Sequence, residues 1–352
     1  MGSVKDLKVM EKPTPDKMGV GRFQFSDRYS VFDWGEMPDH IVNKGEALCM
    51  MGAYCFEWLE NKGIETHYRG LVDKDEQVVN FENLETPTNT MEVNLVNVYK
   101  PEIRDSKGKV LYDYSHYTPT LKNCLIPLEV IYRNGFPEGS SVFKRLEQGK
   151  VTLADLGLDH RPRPGERFTK PIFDVSTKLE ETDRYVTWEE AKRISGLTTP
   201  EVTAIKNVLS KVNDAINHIA SRVGLENEDG KIELAFNNER QLMVVDVVGT
   251  LDECRFTYDG VHVSKEVARQ FYKKTKWYVD VEDAKKIAET QGVKDWKALC
   301  RSQPPKLDVN LKTIISEMYM ASANELTDRK LFDVPQLAEV IKKYREYMGE
   351  RK

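Results

Sequence analysis

The sequence predicts an α+β protein in which antiparallel sheets are flanked by helices and further helices follow at the C-terminal end. Strand-like runs separated by turn residues occur in the first third of the chain, and two charged strand segments follow one another later, between positions 229 and 248. Between and after these strands, apolar residues recur at helical spacing. At 352 residues, the chain can form two lobes, or one large domain with additions.

Composition excludes several classes of partner. The formal net charge is −5 and both signs of charge are mixed, so neither nucleic acid nor an anionic membrane is an expected partner. The N-terminal residues lack the apolar core of a signal peptide, and no run approaches the roughly 18 apolar residues of a membrane span. Five scattered cysteines without CxxC spacing favour a reduced, cytoplasmic setting over a disulfide framework or a zinc site.

The first predicted element is a glycine-rich strand. Gly19, Gly21 and Arg22 precede an aromatic stretch that ends at Trp34, and we expect this stretch to form a hairpin with Asp27-Arg28 at its bend. Glycines let a backbone approach phosphates closely, although a GxG before a strand is more often a plain turn. Lys44-Gly45 then begins an amphipathic helix that ends at Gly63.

A buried strand, LIPLEVIYR, precedes a loop of glycines and serines and then a predicted helix. Arg133 lies before this loop, Ser140 lies in it, and Arg145 follows it. Backbone N–H groups and basic side chains around such a loop can bind a phosphate. An ordinary loop with surface arginines fits the same residues equally well.

Helices are predicted after this region. Lys178 and Asp183 lie on a polar loop that leads into a helix capped near Thr187. A longer helix is expected from Thr199 to about Val223. Further helices are expected around residues 311–323 and after residue 333.

The most informative segment is a charged hairpin. Asp229, Lys231 and Glu233 alternate with apolar residues, so their side chains share one face of a strand, and the region around Asn237 is a plausible turn. Asp246 then interrupts the apolar run LMVVDVV, and we expect it to be buried. Two facing carboxylates need a cation, and a magnesium ion carrying nucleotide phosphates would serve. A half-buried surface hairpin would show the same alternation in its first strand.

Taken in this order, the segments resemble the SAICAR synthetase family of purine-pathway ligases. The resemblance covers roughly residues 19–275, and the loop-rich stretch near 80–120 and the C-terminal helices lie outside it. Its motifs comprise the glycine-rich strand, the Lys44-Gly45 step, GIETHY at 63–68, IPLEVIYRNGFPEGS at 126–140, PIFDVSTK at 171–178 with Asp183, the DxKxE of 229–233, and Asp246 with Asp252 and Arg255. The set is fairly specific, whereas each motif alone is weak.

The resemblance implies a two-lobed α+β fold related to ATP-grasp enzymes. We therefore expect an N-terminal lobe over residues 1–125 with the glycine-rich hairpin, a C-terminal lobe over 126–275 with the phosphate cradle and the metal-binding hairpin, and a helical extension over 276–352. The implied reaction uses ATP and Mg²⁺ to join 5-amino-1-(5-phosphoribosyl)imidazole-4-carboxylate to L-aspartate through an acyl phosphate. Small molecules are thus the expected partners, and the added helices can support a homo-oligomer.

The resemblance also implies roles for individual residues. Metal binding falls to Glu233 and Asp246. Catalytic roles fall to Lys231, Asp229, Lys44 and Asp183. ATP binding involves Gly19, Gly21, Arg22 and Lys231, and ribonucleotide binding involves Arg133, Ser140, Arg145, Lys178 and Arg255.

Some positions depart from the family pattern. Val20, Val247 and Thr182 replace a lysine, a glutamate and a histidine that are usual there, and the segment from Asp246 to Arg255 is one residue longer. These departures leave two alternatives open. The protein can be a related ATP-dependent ligase for a different carboxylate or amine, or a non-catalytic nucleotide-binding paralogue.

Overall fold

The computed structural model describes residues 4–106, 109–263, 265–293 and 295–349. Its first sheet has five antiparallel strands in the order β1-β2-β5-β3-β4. The strands are β1 (Lys5–Glu11), β2 (Gly19–Phe25), β3 (Tyr68–Val72), β4 (Val78–Val79) and β5 (Thr90–Leu95). A separate hairpin follows, formed by β6 (Glu102–Ser106) and β7 (Lys109–Asp113).

The opening hairpin differs from the prediction. β2 does begin at Gly19, but it pairs with β1 and β5, and no strand forms between Phe25 and Trp34. Asp27 lies beyond the strand, where its carboxylate accepts the backbone N–H of Asn43 and of Gly45. The predicted bend at Asp27-Arg28 is therefore wrong, because the carboxylate of Asp27 supports the start of a helix instead of a hairpin turn.

The second sheet carries the charged hairpin. Its strand order is β13-β12-β10-β8-β9, and β11 pairs with the free length of β10. The strands are β8 (Cys124–Phe136), β9 (Glu166–Thr177), β10 (Leu225–Phe236), β11 (Leu242–Val245), β12 (Cys254–Tyr258) and β13 (Val261–His262). The predicted turn after β10 is present, since the N–H of Asn237 donates to the carbonyl of Gln241 at 3.0 Å.

Eight α-helices occur among the residues that the structure describes. They are α1 (Lys44–Glu60), α2 (Ser141–Glu147), α3 (Trp188–Ile194), α4 (Thr199–Ser221), α5 (Glu266–Lys273), α6 (Lys276–Gln291), α7 (Val309–Leu326) and α8 (Leu337–Tyr347). Thr187 caps α3 as predicted, and Thr198 forms a capping box with Glu201 at the start of α4. Within these described segments, no helix combines the length and apolarity that crossing a bilayer requires.

The two faces of the second sheet have different partners. Val130 and Ile232 are buried on the face against α4, whereas Glu129, Lys231 and Glu233 lie on the other face. Alternation along β8 and β10 thus separates an apolar face from a charged one. The architecture confirms the predicted α+β class, with antiparallel sheets flanked by helices.

Backbone hydrogen bonds join the two sheets. The N–H of His67 donates to the carbonyl of Val244 at 3.0 Å, and the N–H of Val244 donates to Glu65 at 2.9 Å. A parallel bridge between Thr66 and Val244 completes this junction. The segment before β3 therefore fixes the end of β11, which is where Asp246 follows.

Candidate active site

The charged face of the second sheet forms the floor of a pocket of about 220 Å³. Strands β8, β10 and β12 supply this floor, and the start of α5 adds Lys265 and Arg269 to the wall. Five predicted site residues line the pocket together, namely Arg133, Asp183, Asp229, Lys231 and Arg255, and Asp252 of the motif that ends at Arg255 lines it as well. The register of β10 against β8 explains this, because it pairs Asp229 with Arg133 and Glu233 with Glu129.

Lysines and carboxylates form a cluster that begins in the pocket at Lys231, Glu129 and Glu253 and continues beside it. The Lys231 Nζ atom lies 2.9 Å from Glu129, 3.2 Å from Glu233 and 3.2 Å from Glu253. Lys178 reaches the same Glu233 oxygen at 2.6 Å. Burial would lower the pKa of Lys231, but Glu253 and Glu233 raise it well above its usual value. Both lysines therefore remain cationic and hold the carboxylates in place.

Asp246 joins this group from an unusual backbone conformation. It follows Val245, which pairs with Glu233, and its φ of 66° lies in the left-handed region. Burial raises the pKa of Glu233 above its usual value, and the Asp246 carboxylate adds to the rise. Burial alone would raise the pKa of Asp246, but its ion pair with Lys5 helps to lower this pKa below its usual value. The two carboxylates thus interact, and the cations around them keep Asp246 ionised.

These residues fit a magnesium ion that also binds phosphates. No group of three or more His, Cys, Asp or Glu side chains arranged to hold a metal occurs in the described ranges. Mg²⁺ commonly uses only one or two carboxylates, with phosphate oxygens and waters as its other ligands. Glu233 and Asp246 supply two such carboxylates. Burial is the main reason that the pKa of Glu233 is raised, and the Asp246 carboxylate adds to the rise, so a bound cation would favour the ionised form of Glu233.

Arginines and aspartates form a second cluster at the other end of the pocket. Arg133 is 1% exposed and donates to Asp174 at 3.1 Å and to Asp229 at 3.3 Å. Arg145 binds both oxygens of Asp174, at 2.6 and 3.2 Å. Arg255 binds both oxygens of Asp229, at 2.8 and 2.5 Å, while its side chain stays 23% exposed. Arg255 is therefore more accessible to a ligand than Arg133.

Asp183 lies on the rim beside the lysine end. Asp183 is exposed as a residue, but the groups around its carboxylate partly desolvate it and raise its pKa to about 6, with a further contribution from Glu129, while Lys178 opposes the rise. A carboxylate with such a pKa changes its charge just below neutral pH. Asp183, which was singled out in the sequence, is therefore a titrating group at this pocket.

Other predicted site residues make contacts outside the pocket lining. Ser140 accepts the N–H of Val142 and so caps α2. Lys44 is enclosed beneath the pocket in an ion pair with Asp252. Arg22 binds Glu92 on the neighbouring β5 and Glu76.

The glycines of β2 are explained by packing within the sheet. A side chain at Gly19 would collide with the Glu11 carbonyl, and one at Gly21 would meet Leu7 and Leu95. Nine predicted site residues do not line this pocket, namely Gly19, Gly21, Arg22, Lys44, Ser140, Arg145, Lys178, Glu233 and Asp246. Glu233 nevertheless adjoins it through its ion pair with Lys231, and Lys178 adjoins it through its ion pair with Glu129.

Sequence reasoning missed several residues here. Glu129 is a lone acid in an apolar strand, which is the same signal that identified Asp246, and it could have been found in that way. Lys5 gave no local signal, because its partner Asp246 is distant in the chain. Glu253 and Tyr185 also line the pocket, and Tyr185 stacks under the Arg145 guanidinium at 3.8 Å.

Comparison with known proteins identifies the family. The model of the SAICAR synthetase family matches residues 8–286. A relative from Archaeoglobus fulgidus is 49% identical over 348 residues, which cover 99% of this chain and 100% of that protein. The phosphoribosylaminoimidazole-succinocarboxamide synthase of Thermoplasma volcanium is 34% identical over 315 residues, which cover 88% and 93%.

A solved structure shares the fold. The SAICAR synthase of Saccharomyces cerevisiae, complexed with SAICAR, has a TM-score of 0.60 and 19% identity, with 94% of each chain covered. At that identity the likeness concerns the fold. The family model spans most of the chain, and the relatives match over nearly their full length. The chain therefore belongs to the SAICAR synthetase family.

Proposed function

We propose that this protein is an ATP-dependent carbon–nitrogen ligase that joins 5-amino-1-(5-phosphoribosyl)imidazole-4-carboxylate to L-aspartate. Family membership over residues 8–286 and the full-length relatives support this activity. The structural observation that supports it is a pocket lined by Lys231 at one end and by Arg133 and Arg255 at the other. Next to Lys231, the Glu233 carboxylate pairs with both Lys231 and Lys178 and interacts with Asp246. This arrangement suits one phosphate-rich substrate and one phosphorylated ribonucleotide.

The reaction requires activation of a carboxylate. A carboxylate is a poor electrophile, and transfer of the ATP γ-phosphoryl group converts it to an acyl phosphate that an amine can attack. Phosphoryl transfer depends mainly on positioning and on neutralising negative charge. Lys231 and Lys178 supply cationic groups for this purpose, and their ion pairs with Glu233 fix where those charges lie.

We also propose that Glu233 and Asp246 hold Mg²⁺. When bound, the ion would neutralise the phosphate charge that otherwise opposes attack on the γ-phosphorus. Lys5 pairs with Asp246 in the structure, so it lies beside the proposed ion and is a further candidate for a phosphate contact. Glu129 and Glu253 keep Lys231 next to this position.

The ribonucleotide is assigned to the arginine end of the pocket. Arg255 is the accessible cation there, and its planar guanidinium suits phosphate oxygens. Arg133 and Arg145 are more enclosed, and their bonds to Asp174 and Asp229 make them supports of this end. Asp229 would then orient Arg255 toward the substrate.

Asp183 is the candidate base for the amine. Its ionised form can accept a proton from the ammonium group of aspartate or from the attacking nitrogen. The raised pKa of about 6 makes it a stronger base than an ordinary aspartate while leaving it ionised at neutral pH.

We further propose that the protein works in the cytoplasm. The division of the chain into two lobes and a helical extension, at residues 125 and 275, remains a prediction.

ADP release is the test of this function. The purified protein is supplied with ATP, Mg²⁺, the ribonucleotide carboxylate and aspartate, and each component is omitted in turn. We expect ADP and the succinocarboxamide product in equal amounts only when all four are present. Faster turnover with glutamate or asparagine would instead favour a related ligase. ATP binding without substrate-dependent ADP release would favour a non-catalytic paralogue.

A further inference from the structure

Three distant parts of the chain meet at the carboxylate of Asp252, which lies in the wall of the pocket. Lys44, at the start of α1, places its Nζ 2.7 Å from Asp252 Oδ2. Tyr319, in the middle of α7, donates its hydroxyl to Asp252 Oδ1 at 2.6 Å. Both oxygens of Asp252 are thus occupied, one by a helix of the first part of the chain and one by a helix of the C-terminal extension.

The group is enclosed. The Lys44 side chain is 1% exposed and that of Asp252 is 11% exposed, while Tyr319 is also 1% exposed. The Lys44 ammonium group lies 5.4 Å from the centre of the Tyr319 ring. A buried ion pair is stable only when its remaining lone pairs are satisfied, so the Tyr319 hydroxyl completes the pair between Lys44 and Asp252.

Asp252 occupies a critical position in the chain. It lies in the segment 246–255, which begins at the proposed metal ligand Asp246 and ends at the proposed phosphate ligand Arg255. The segment has little regular structure: Asp246 and Gly249 have φ values of 66° and 72°, and residues 246–253 form no strand or helix. The path of this segment therefore depends on tertiary contacts, and Asp252 makes three of them. Its carboxylate oxygens accept hydrogen bonds from Lys44 and Tyr319, and its backbone carbonyl accepts one from Lys265.

The helix that carries Tyr319 is itself attached to α1. Ser316 donates its hydroxyl to the carbonyl of Val42 at 2.7 Å, just before α1 begins, and α7 packs along α1. Leu311 and Ile315 of α7 belong to the same buried apolar cluster as Met50 of α1. These contacts with α1 position α7 so that Tyr319 reaches Asp252.

We infer that Tyr319 is a positioning residue, which acts through Asp252 and Lys44 to fix segment 246–255, so that helix α7 forms part of the support of the ribonucleotide site. The expected effect on the Michaelis constant rests on the proposed function, whereas the expected effect on the structure of segment 246–255 does not. It also gives Lys44 a supporting role, since this lysine is enclosed below the pocket and does not line it.

The test compares Tyr319→Phe with Tyr68→Phe. Tyr68 is a matched control, because it is also a buried tyrosine whose hydroxyl donates to a carboxylate, that of Glu57 at 3.0 Å, and it does not line the pocket. Each substitution removes one oxygen atom and leaves the ring packing intact. Two quantities are measured in the full-length protein: amide hydrogen exchange across residues 246–255, and the Michaelis constants for the ribonucleotide and for ATP.

We expect Tyr319→Phe to speed exchange in 246–255 and to raise the Michaelis constant for the ribonucleotide by about five- to tenfold, with a smaller effect on ATP. This is less than for loss of a direct hydrogen bond to a charged group, because the change reaches the substrate only through Asp252. Tyr68→Phe should change neither. In an Asp252→Asn background, Tyr319→Phe should add little further, since both act on the same contact.

The outcomes separate this inference from the proposed function. Unchanged exchange in 246–255 for Tyr319→Phe, or equal changes for both tyrosine variants, overturns the inference whatever the activity of the protein. A wild-type protein that makes no product overturns the proposed function, while the exchange measurement still decides the role of Tyr319. Additive effects of Tyr319→Phe and Asp252→Asn would also contradict the inference that Tyr319 acts through Asp252.

Discussion

Asp246 acts electrostatically on Glu233 although it does not pair with it in the sheet. Glu233 is paired with Val245, and an extended residue after Val245 would project to the opposite face. The left-handed conformation of Asp246 breaks this alternation. Its carboxylate contributes to the pKa shifts of Glu233, Lys178 and Lys231 at once, which places it on the charged side of the sheet. The backbone turn thereby creates the carboxylate pair.

Arg133 should be essential for stability as well as for the site. Arg133→Ala removes the cation that Asp174 and Asp229 share. Arg145 still pairs with Asp174 and Arg255 still pairs with Asp229, so neither carboxylate is left without a cation. Loss of the buried charged hydrogen bonds of Arg133 should therefore cost about 1.5–3 kcal/mol in the free energy of unfolding. Urea denaturation measures this loss.

As a control, Arg167→Ala removes an arginine that is 46% exposed and paired with Glu226, and it should cost less than about 1 kcal/mol. Equal losses for the two variants would contradict the buried network.

The pH dependence of activity should report Asp183. Its pKa is raised to about 6, so the carboxylate is protonated below pH 6 and ionised above it. If the ionised form accepts the proton from aspartate, kcat/KM for aspartate should fall about tenfold per pH unit below 6 and level off above it. Asp183→Asn should lower the plateau and remove this limb. A limb near pH 6 that persists in Asp183→Asn would assign the titration to another group.

Glu228 should make the protein less stable at alkaline pH. Burial raises the pKa of Glu228 to about 7, with help from Asp229, and one of its carboxylate oxygens has no hydrogen-bond partner. Because the folded pKa exceeds the unfolded value, the stability contributed by the protonated form is complete below about pH 4.5 and is lost as pH rises through 7.

Glu228→Gln cannot ionise and should escape this loss. Relative to the wild type, we expect the variant to gain about 1–3 kcal/mol in unfolding free energy between pH 5 and pH 8, since one pKa unit corresponds to about 1.4 kcal/mol. Urea denaturation at the two pH values gives this difference. A stability difference between the proteins that is the same at both pH values would refute the shifted pKa.

Much of the second sheet could be predicted because its signals are local. The alternation of Asp229, Lys231 and Glu233, the turn at Asn237 and the lone Asp246 all lie within one short stretch. The two strands of the charged hairpin, β10 and β11, pair with each other and follow one another in the chain. The charged hairpin, its shared face, the cap of α3 and the start of α4 therefore followed from period and turn chemistry.

The rest depended on long-range pairing. Lys5 lies in a polar stretch for which the sequence predicted no strand, and only its pairing with Phe25 makes it part of one. The contact of Tyr319 with Asp252 joins residues far apart in the chain, so no periodicity announces it. The enclosure of Arg133 was missed for a similar reason, since its partner Asp174 comes from β9 and only the sheet register brings the two together.

The central claim is that Glu233 and Asp246 jointly support an ATP-driven ligation. Its most direct test is Mg²⁺-dependent ADP formation by Asp246→Asn with the ribonucleotide carboxylate and aspartate, beside Asp214→Asn, which changes an exposed aspartate on α4. We predict that Asp246→Asn lowers kcat by at least about 100-fold and weakens the response to Mg²⁺, with unfolding free energy nearly unchanged, whereas Asp214→Asn behaves as wild type. Turnover by Asp246→Asn within about twofold of wild type would contradict the account.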